Sequence, residues 1–167
     1  EKGNVGNAII NGIESLFEYN IKRLITSKDK LNTYVNFGYT ISDYIDSEAN
    51  GVVGNDVEFT PKYNIKSGLK YSYNKNNIEL QYSYISSQFS DASNARKSDI
   101  TGIIGEIPAY YIIDLSYSVS YRNTIFSCGI NNLTNNYYFT RRATGYPGPG
   151  IIPSQPRNYY LTLELNY

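Results

Sequence analysis

The stretch LNTYVNFGYTIS, from Leu31 to Ser42, alternates with a period of two. Its odd positions read Leu31, Thr33, Val35, Phe37, Tyr39 and Ile41, and its even positions read Asn32, Tyr34, Asn36, Gly38, Thr40 and Ser42. Successive side chains of a β-strand point to opposite faces, so this segment as a strand has one face for hydrocarbon and one for water. Wound as a helix, the same residues would scatter apolar groups over every face.

The pattern recurs along the chain. Tyr111, Ile113, Leu115, Tyr117, Val119 and Tyr121 alternate with Tyr110, Ile112, Asp114, Ser116, Ser118 and Ser120. Near the end, Tyr159, Leu161, Leu163, Leu165 and Tyr167 alternate with Tyr160, Thr162, Glu164 and Asn166. Residues 63–73 and 78–85 follow the same rule, and 124–131 places Phe126, Cys128 and Ile130 together. A first strand is expected at about Ala8–Ile21, although Ser15 and Leu16 fall on the wrong faces there. Most of these seven segments approach the length of roughly 9–11 residues with which a tilted strand crosses a bilayer.

The connections alternate as well. Tight turns are expected near Ser27–Lys30, at Lys75-Asn76-Asn77 and at Arg122-Asn123, whereas 44–62, 89–109 and 132–157 are long. Strict alternation places every long loop at one end, as in outer-membrane barrels with tight periplasmic turns and long external loops. A soluble antiparallel sandwich has no reason to do this. The expected fold is therefore all-β, an antiparallel transmembrane β-barrel fragment of about seven strands. Parity puts the carboxy terminus on the periplasmic side and residues 1–6 at an external loop. Seven strands leave two open edges, each presenting roughly ten backbone polar groups to lipid at several kcal/mol apiece. Missing strands must close the barrel, because Glu1–Gly6 is too short and too polar to add one.

Composition narrows the function. Fifteen basic residues balance fifteen acidic ones, which favours no nucleic-acid partner. There is no His, so Ser-His-Asp and Cys-His catalysis and the commonest transition-metal ligand are excluded. Glycine-rich phosphate loops are absent, and no spacing singles out a carboxylate pair. The reading is of a non-enzyme without a resident cofactor. Nineteen tyrosines suit interfaces that are dry at one end and wet at the other. Cys128 stands alone, which excludes a disulfide framework and fits a small lipid-facing hydrophobe.

The segment GINNLTNNYYFTRRATGYPGPGIIPSQPRNYYLTLELNY resembles the carboxy end of TonB-dependent outer-membrane receptors. GxNNLxxxxYF is the superfamily part of the likeness, and YFTRRATGYPGPGIIPS resembles the ferric citrate and related iron-complex subgroup. NGIE at Asn11–Glu14, GNDVEFTPKY at Gly54–Tyr63 and GEIPAYYIIDLSYS at Gly105–Ser118 match the same subgroup. The resemblance implies a barrel of about 22 strands around a plug, in which residues 1–167 form the carboxy-terminal part. The plug, the TonB box and the earlier strands would lie outside this sequence. It further implies ligand capture outside, and inward release driven through TonB by the proton motive force. The expected cargo is a ferric chelate, siderophore or ferric citrate-like. Alternatives are another cargo such as cobalamin, heme or an oligosaccharide, or a small non-transporting adhesin or anchor barrel. Expected partners are outer-membrane lipid and lipopolysaccharide, the missing strands and plug, the TonB complex, and the barrel-assembly machinery at the terminal aromatic Tyr167.

Candidate ligand-binding residues are Arg141, Arg142, Thr144 and Tyr146, in the longest loop. An Arg pair can grip a carboxylate-rich chelate through bidentate charged hydrogen bonds; the plainer reading is a solvated loop or a bridge to a neighbouring loop or lipopolysaccharide phosphate. Pro147-Gly148 and Pro149-Gly150 suit successive type II turns that would stiffen the loop. Tyr137, Tyr138 and Phe139 are read as an upper aromatic girdle, with the flanking of a ligand, together with Tyr146, as the functional alternative. Glu14, Glu18, Lys66, Lys70 and Glu79 are read as lumen lining, with plug docking as the functional alternative. Asn131 and Asn132 are expected to cap the loop.

Overall fold

The computed structural model describes residues 5–143, 145 and 150–166. Seven long strands form one sheet: β1 (Asn7–Lys22), β2 (Asp29–Asp46), β3 (Tyr63–Tyr73), β4 (Asn76–Ile85), β7 (Tyr110–Tyr121), β8 (Thr124–Asn131) and β11 (Asn158–Leu165). Four short strands lie in the long loops: β5 (Gln88–Phe89), β6 (Glu106–Ile107), β9 (Phe139–Ala143) and β10 (Gly150–Pro153). The sheet order is β1-β2-β3-β4-β7-β8-β11, an antiparallel meander of neighbours in sequence. Among the described residues there is no helix. The short pairs β5–β6 and β9–β10 were not expected from the sequence.

Register carries the alternation across all seven strands, and the one irregularity among these pairings of described residues lies at the far end of the β1–β2 hairpin, between Asn7 and Ala8. Val35 lies opposite Phe17 and Ser67, Ser67 opposite Tyr82, and Tyr82 opposite Ile113. A row nearer the tight turns runs Ile21, Leu31, Tyr71, Ile78, Tyr117, Cys128 and Leu161. Cross-strand partners share a face, so the apolar positions of every strand make one continuous apolar surface. Cys128 sits within it, as expected. The opposite face holds Glu14, Glu18, Lys66, Lys70, Glu79 and Asp114. Leu16 lies opposite Asn36 and Ser15 opposite Phe37, so the two misfit residues of β1 are accepted in regular register.

Among the described residues the buried hydrophobic ones are only Tyr44, Val52 and Ile107, whereas Phe17, Leu161 and Leu163 are 70%, 70% and 63% exposed. An apolar surface of this extent needs an apolar medium or a partner to cover it. The reading that fits both the surface and the strand lengths is lipid.

The two ends differ as the loop lengths require. β3–β4 and β7–β8 are joined by the two-residue turns Asn74-Lys75 and Arg122-Asn123, and β1–β2 by residues 23–28. Asn74 and Arg122 have φ of 53° and 50°, the left-handed conformation that two-residue hairpins need. The β3–β4 turn thus begins one residue earlier than expected. At the opposite end β2 runs to Asp46, beyond Ser42, the last residue of the expected strand, and its pairing with β3 stops at Tyr39. The β1–β2 hairpin therefore rises seven residues past its neighbour, roughly 20 Å at the rise of a strand.

Candidate functional site

The long loops meet above the sheet, and each is fixed to the next. The loop 47–62 folds back along the projecting part of β2: Thr40 N–H donates to Lys62 O at 3.0 Å and Gly54 N–H to Tyr44 O at 2.8 Å. It is joined to the loop 86–109 by a reciprocal pair. Asp56 N–H donates to Asn94 Oδ1 and Asn94 Nδ2 to Asp56 O, both at 2.8 Å. Asn55 Nδ2 donates to Ala92 O, and Phe59 N–H to Phe89 O. Inside 86–109, β5 pairs with β6, and Ile107 is completely buried as the hydrophobic anchor.

Arg142 fastens this pair to the third loop. Its Nη1 donates to Gly102 O at 2.8 Å and its Nη2 to Glu106 O at 2.7 Å, while the guanidinium lies 5.2 Å from the Phe139 ring centroid. Nε is buried with no acceptor. The two arginines of the expected pair are thus placed differently. Neighbouring residues of a strand face opposite ways, and here Arg142 is occupied by main-chain carbonyls while Arg141 is exposed. Thr144, Tyr146 and the Pro147-Gly148-Pro149 turn lie outside the described residues, as does Tyr167.

The base of that third loop is clamped by Asn132, as its type and position suggested. Asn132 is 3% exposed with φ of 53°. Its N–H donates to Asp114 Oδ1 at 2.8 Å, its Oδ1 accepts from Asn136 N–H at 2.9 Å, and its Nδ2 donates to Asn136 O at 2.9 Å. Asn131 Nδ2 donates to Asn158 Oδ1 across β8 and β11. Asp114, a lumen-facing residue without an obvious part in the sequence, is the acceptor that starts the loop. The aromatic girdle reading is corrected for Tyr138 and Phe139, while Tyr137 is exposed. Tyr138 stacks on Tyr110 with ring centroids 4.6 Å apart, and Tyr110 lies opposite Ile85 on the polar face. Phe139 lies beneath Arg142.

Below the joined loops is a polar cavity of about 430 Å³ lined by Thr40, Ser42, Asp56, Gln88, Arg96 and Glu106 among others. The sequence reading missed it, because its walls come from the upper ends of β2, β3 and β4 and from two separate loops. Near the tip of the loop 86–109, the Thr101 hydroxyl donates to Asp99 and holds its carboxyl below the usual range. Burial opposes that shift, and the N–H of Ile104 assists it. Among the described residues no three metal-ligating side chains cluster, and the site is suited to polar recognition.

The family model for the β-barrel of TonB dependent receptor-like proteins matches residues 2–133. No curated protein sequence matches the chain. Among solved structures, the ferric citrate transporter FecA is similar at 24% identity and a TM-score of 0.74, over 81% of this chain and 21% of that one. The ferric yersiniabactin uptake receptor FyuA from Yersinia pestis has 17% identity and a TM-score of 0.76, over 98% and 24%. The siderophore receptor PiuA from Acinetobacter baumannii has 20% identity and a TM-score of 0.71, over 98% and 22%. The chain spans less than a quarter of the length of each of these three proteins.

Proposed function

The chain belongs to the TonB-dependent receptor β-barrel family, and on that premise we propose that it forms the last seven strands of an outer-membrane receptor importing a ferric chelate. In this reading β1 and β11 pair with further strands, since open edges in lipid would leave their N–H and C=O groups unsatisfied. The polar face turns to the lumen and a plug. A pull transmitted through TonB releases the ligand inward. The chelate is cargo, not a resident cofactor, and the chain carries no catalytic step.

The observation that carries the cargo reading is the charge of the loop 132–157. It holds Arg141, Arg142 and Arg157 and no Asp or Glu, in a body formed with the two neighbouring loops. Arg142 holds that body together, and Arg141, exposed on β9, is placed to meet a carboxylate of the chelate. The names of the similar structures, which carry ferric citrate, ferric yersiniabactin and siderophores, agree with this cargo class.

The test is equilibrium binding of ferric citrate to the complete receptor at fixed salt. Arg141→Ala should weaken binding by about tenfold, the effect of one lost charged hydrogen bond, and Arg141→Lys should restore part of it. A folded receptor that ignores ferric citrate and other ferric chelates but binds cobalamin, heme or an oligosaccharide would replace this cargo.

A further inference from the structure

The short-turn end of the sheet carries a charge that transport of a chelate does not use. Residues 22–30, 74–75 and 122–123 contain Lys22, Arg23, Lys28, Lys30, Lys75 and Arg122 against one acid, Asp29. The six cations are exposed. Asp29 is 4% exposed and its carboxylate is held within the hairpin, and even with its charge counted these residues carry a net excess of five positive charges, six against one. Asp29 Oδ2 accepts from the N–H groups of Ile25 and Thr26 and from the Tyr71 hydroxyl. The long-loop end is the opposite: residues 43–62, 86–109 and 132–157 hold eight acids and six bases.

Apolar groups are interleaved with these cations. Leu24 and Ile25, between Arg23 and Lys28, are 48% and 77% exposed in a turn that Asp29 holds already folded. Tyr73 and Tyr121 end the apolar face on this side, and the Arg122 guanidinium lies 5.5 Å from the Tyr121 ring centroid. Cations beside aromatic and aliphatic groups at the rim of an apolar surface are the composition of a membrane–water boundary. The three turns follow one another every second strand, about 10 Å apart at the spacing of a sheet. Such a row matches neighbouring headgroups better than a single ligand on which cations would converge.

We propose that this rim grips anionic phospholipid headgroups of the adjacent leaflet, with Arg23, Lys28, Lys75 and Arg122 on the phosphodiesters and Leu24 and Ile25 seated at the acyl boundary. The proposal rests on the membrane-barrel reading and is independent of the cargo. Cations near an anionic surface each favour association by about fivefold in equilibrium constant, and the fixed turn avoids an ordering cost on contact.

The experiment places the complete protein in phosphatidylcholine bilayers containing spin-labelled phosphatidylglycerol or spin-labelled phosphatidylcholine and compares the motionally restricted fractions. The wild type should select phosphatidylglycerol by about fivefold or more. Arg23→Gln/Lys28→Gln/Lys75→Gln/Arg122→Gln should bring the ratio near one, as should salt near 1 M, where the screening length is about 3 Å. Both rims meet the same lipid in a symmetric bilayer, so Arg96→Gln/Lys97→Gln/Arg141→Gln serves as the control and should keep the selectivity. Heat-modifiable gel mobility verifies folding of each variant. Absence of selectivity in the wild type, its persistence in the quadruple variant, or its equal loss in the control overturns the proposal. So does a quadruple variant that keeps selectivity and instead sheds a bound protein, which would make the rim a protein interface. Failure of ferric chelate binding would leave these ratios unchanged, so the two readings fail separately.

Discussion

The Tyr34 ring lies over Gly68, its cross-strand partner between β2 and β3, filling the space that a Cβ at residue 68 would need. The Tyr34 hydroxyl reaches beyond Gly68 to Gln81 Oε1 of β4 at 3.4 Å. A second pair, Tyr160 over Gly129, repeats the device between β11 and β8. An aromatic ring covering a cross-strand glycine returns the packing that glycine lacks and pins the register.

Gly68→Ala should therefore destabilise the folded barrel by about 1–2 kcal/mol, the ordinary cost of forcing a methyl into a filled space. In a Tyr34→Ala background the same substitution should cost almost nothing. Urea unfolding of the four proteins of this cycle measures the coupling. Additive effects would show that Gly68 is chosen for its backbone and not for the ring.

Spin labels provide the check on facing. Labels at Val35, Leu115 and Leu163 should be accessible to lipid-soluble oxygen, and labels at Asn36, Ser116 and Glu164 to a water-soluble quencher. The register pairs Leu115 with Leu80 and Ile130, and Leu163 with Phe126, all on the apolar face. Reversed accessibility would mean a one-residue slip, which flips every side chain.

The sheet was legible because each strand repeats one physical requirement, an apolar side and a polar side, and because turn length declares which end is which. β3 and β8 fall at the expected residues. The upper part of β2 was less legible because Ser42 to Asp46 is mostly polar, and its strand form is stabilised by pairing with β1 and by the returning loop. The strands of the loop hairpins are two to five residues long, too short for a period to show. Arg142 was legible as important but not in its role, because its acceptors are main-chain oxygens at Gly102 and Glu106, about forty residues away. A carbonyl acceptor leaves no side-chain signature in sequence.

Arg142→Ala should release the loop 132–157 from the loop 86–109. Two charged hydrogen bonds of about 1.5–3 kcal/mol each are lost locally, partly offset by water because the residue is only half-buried. Trypsin cleavage after Arg96 and Lys97 should quicken, and amide exchange at residues 102–106 should rise. Arg142→Lys can replace at most one of the two bonds and should be intermediate. Unchanged cleavage and exchange in Arg142→Ala would mean that Ile107 and the Asp56–Asn94 pair hold the loop alone.

Asn132 separates two contributions that usually travel together. Its φ of 53° costs a residue with a Cβ about 1–2 kcal/mol unless the side chain compensates, and its amide closes the loop through Asn136. Asn132→Gly keeps the backbone relaxed and removes only the amide bonds. Asn132→Ala removes the bonds and leaves the left-handed conformation uncompensated. The alanine variant should thus be less stable than the glycine variant by about 1 kcal/mol, and both should be less stable than wild type. The Asn132 N–H still donates to Asp114 in each variant, so the start of the loop is preserved and the comparison isolates the side chain. Chemical unfolding of the two variants gives the difference directly. Equal stabilities would show that the left-handed turn carries no strain, and a glycine variant as stable as wild type would show that the amide clamp contributes nothing.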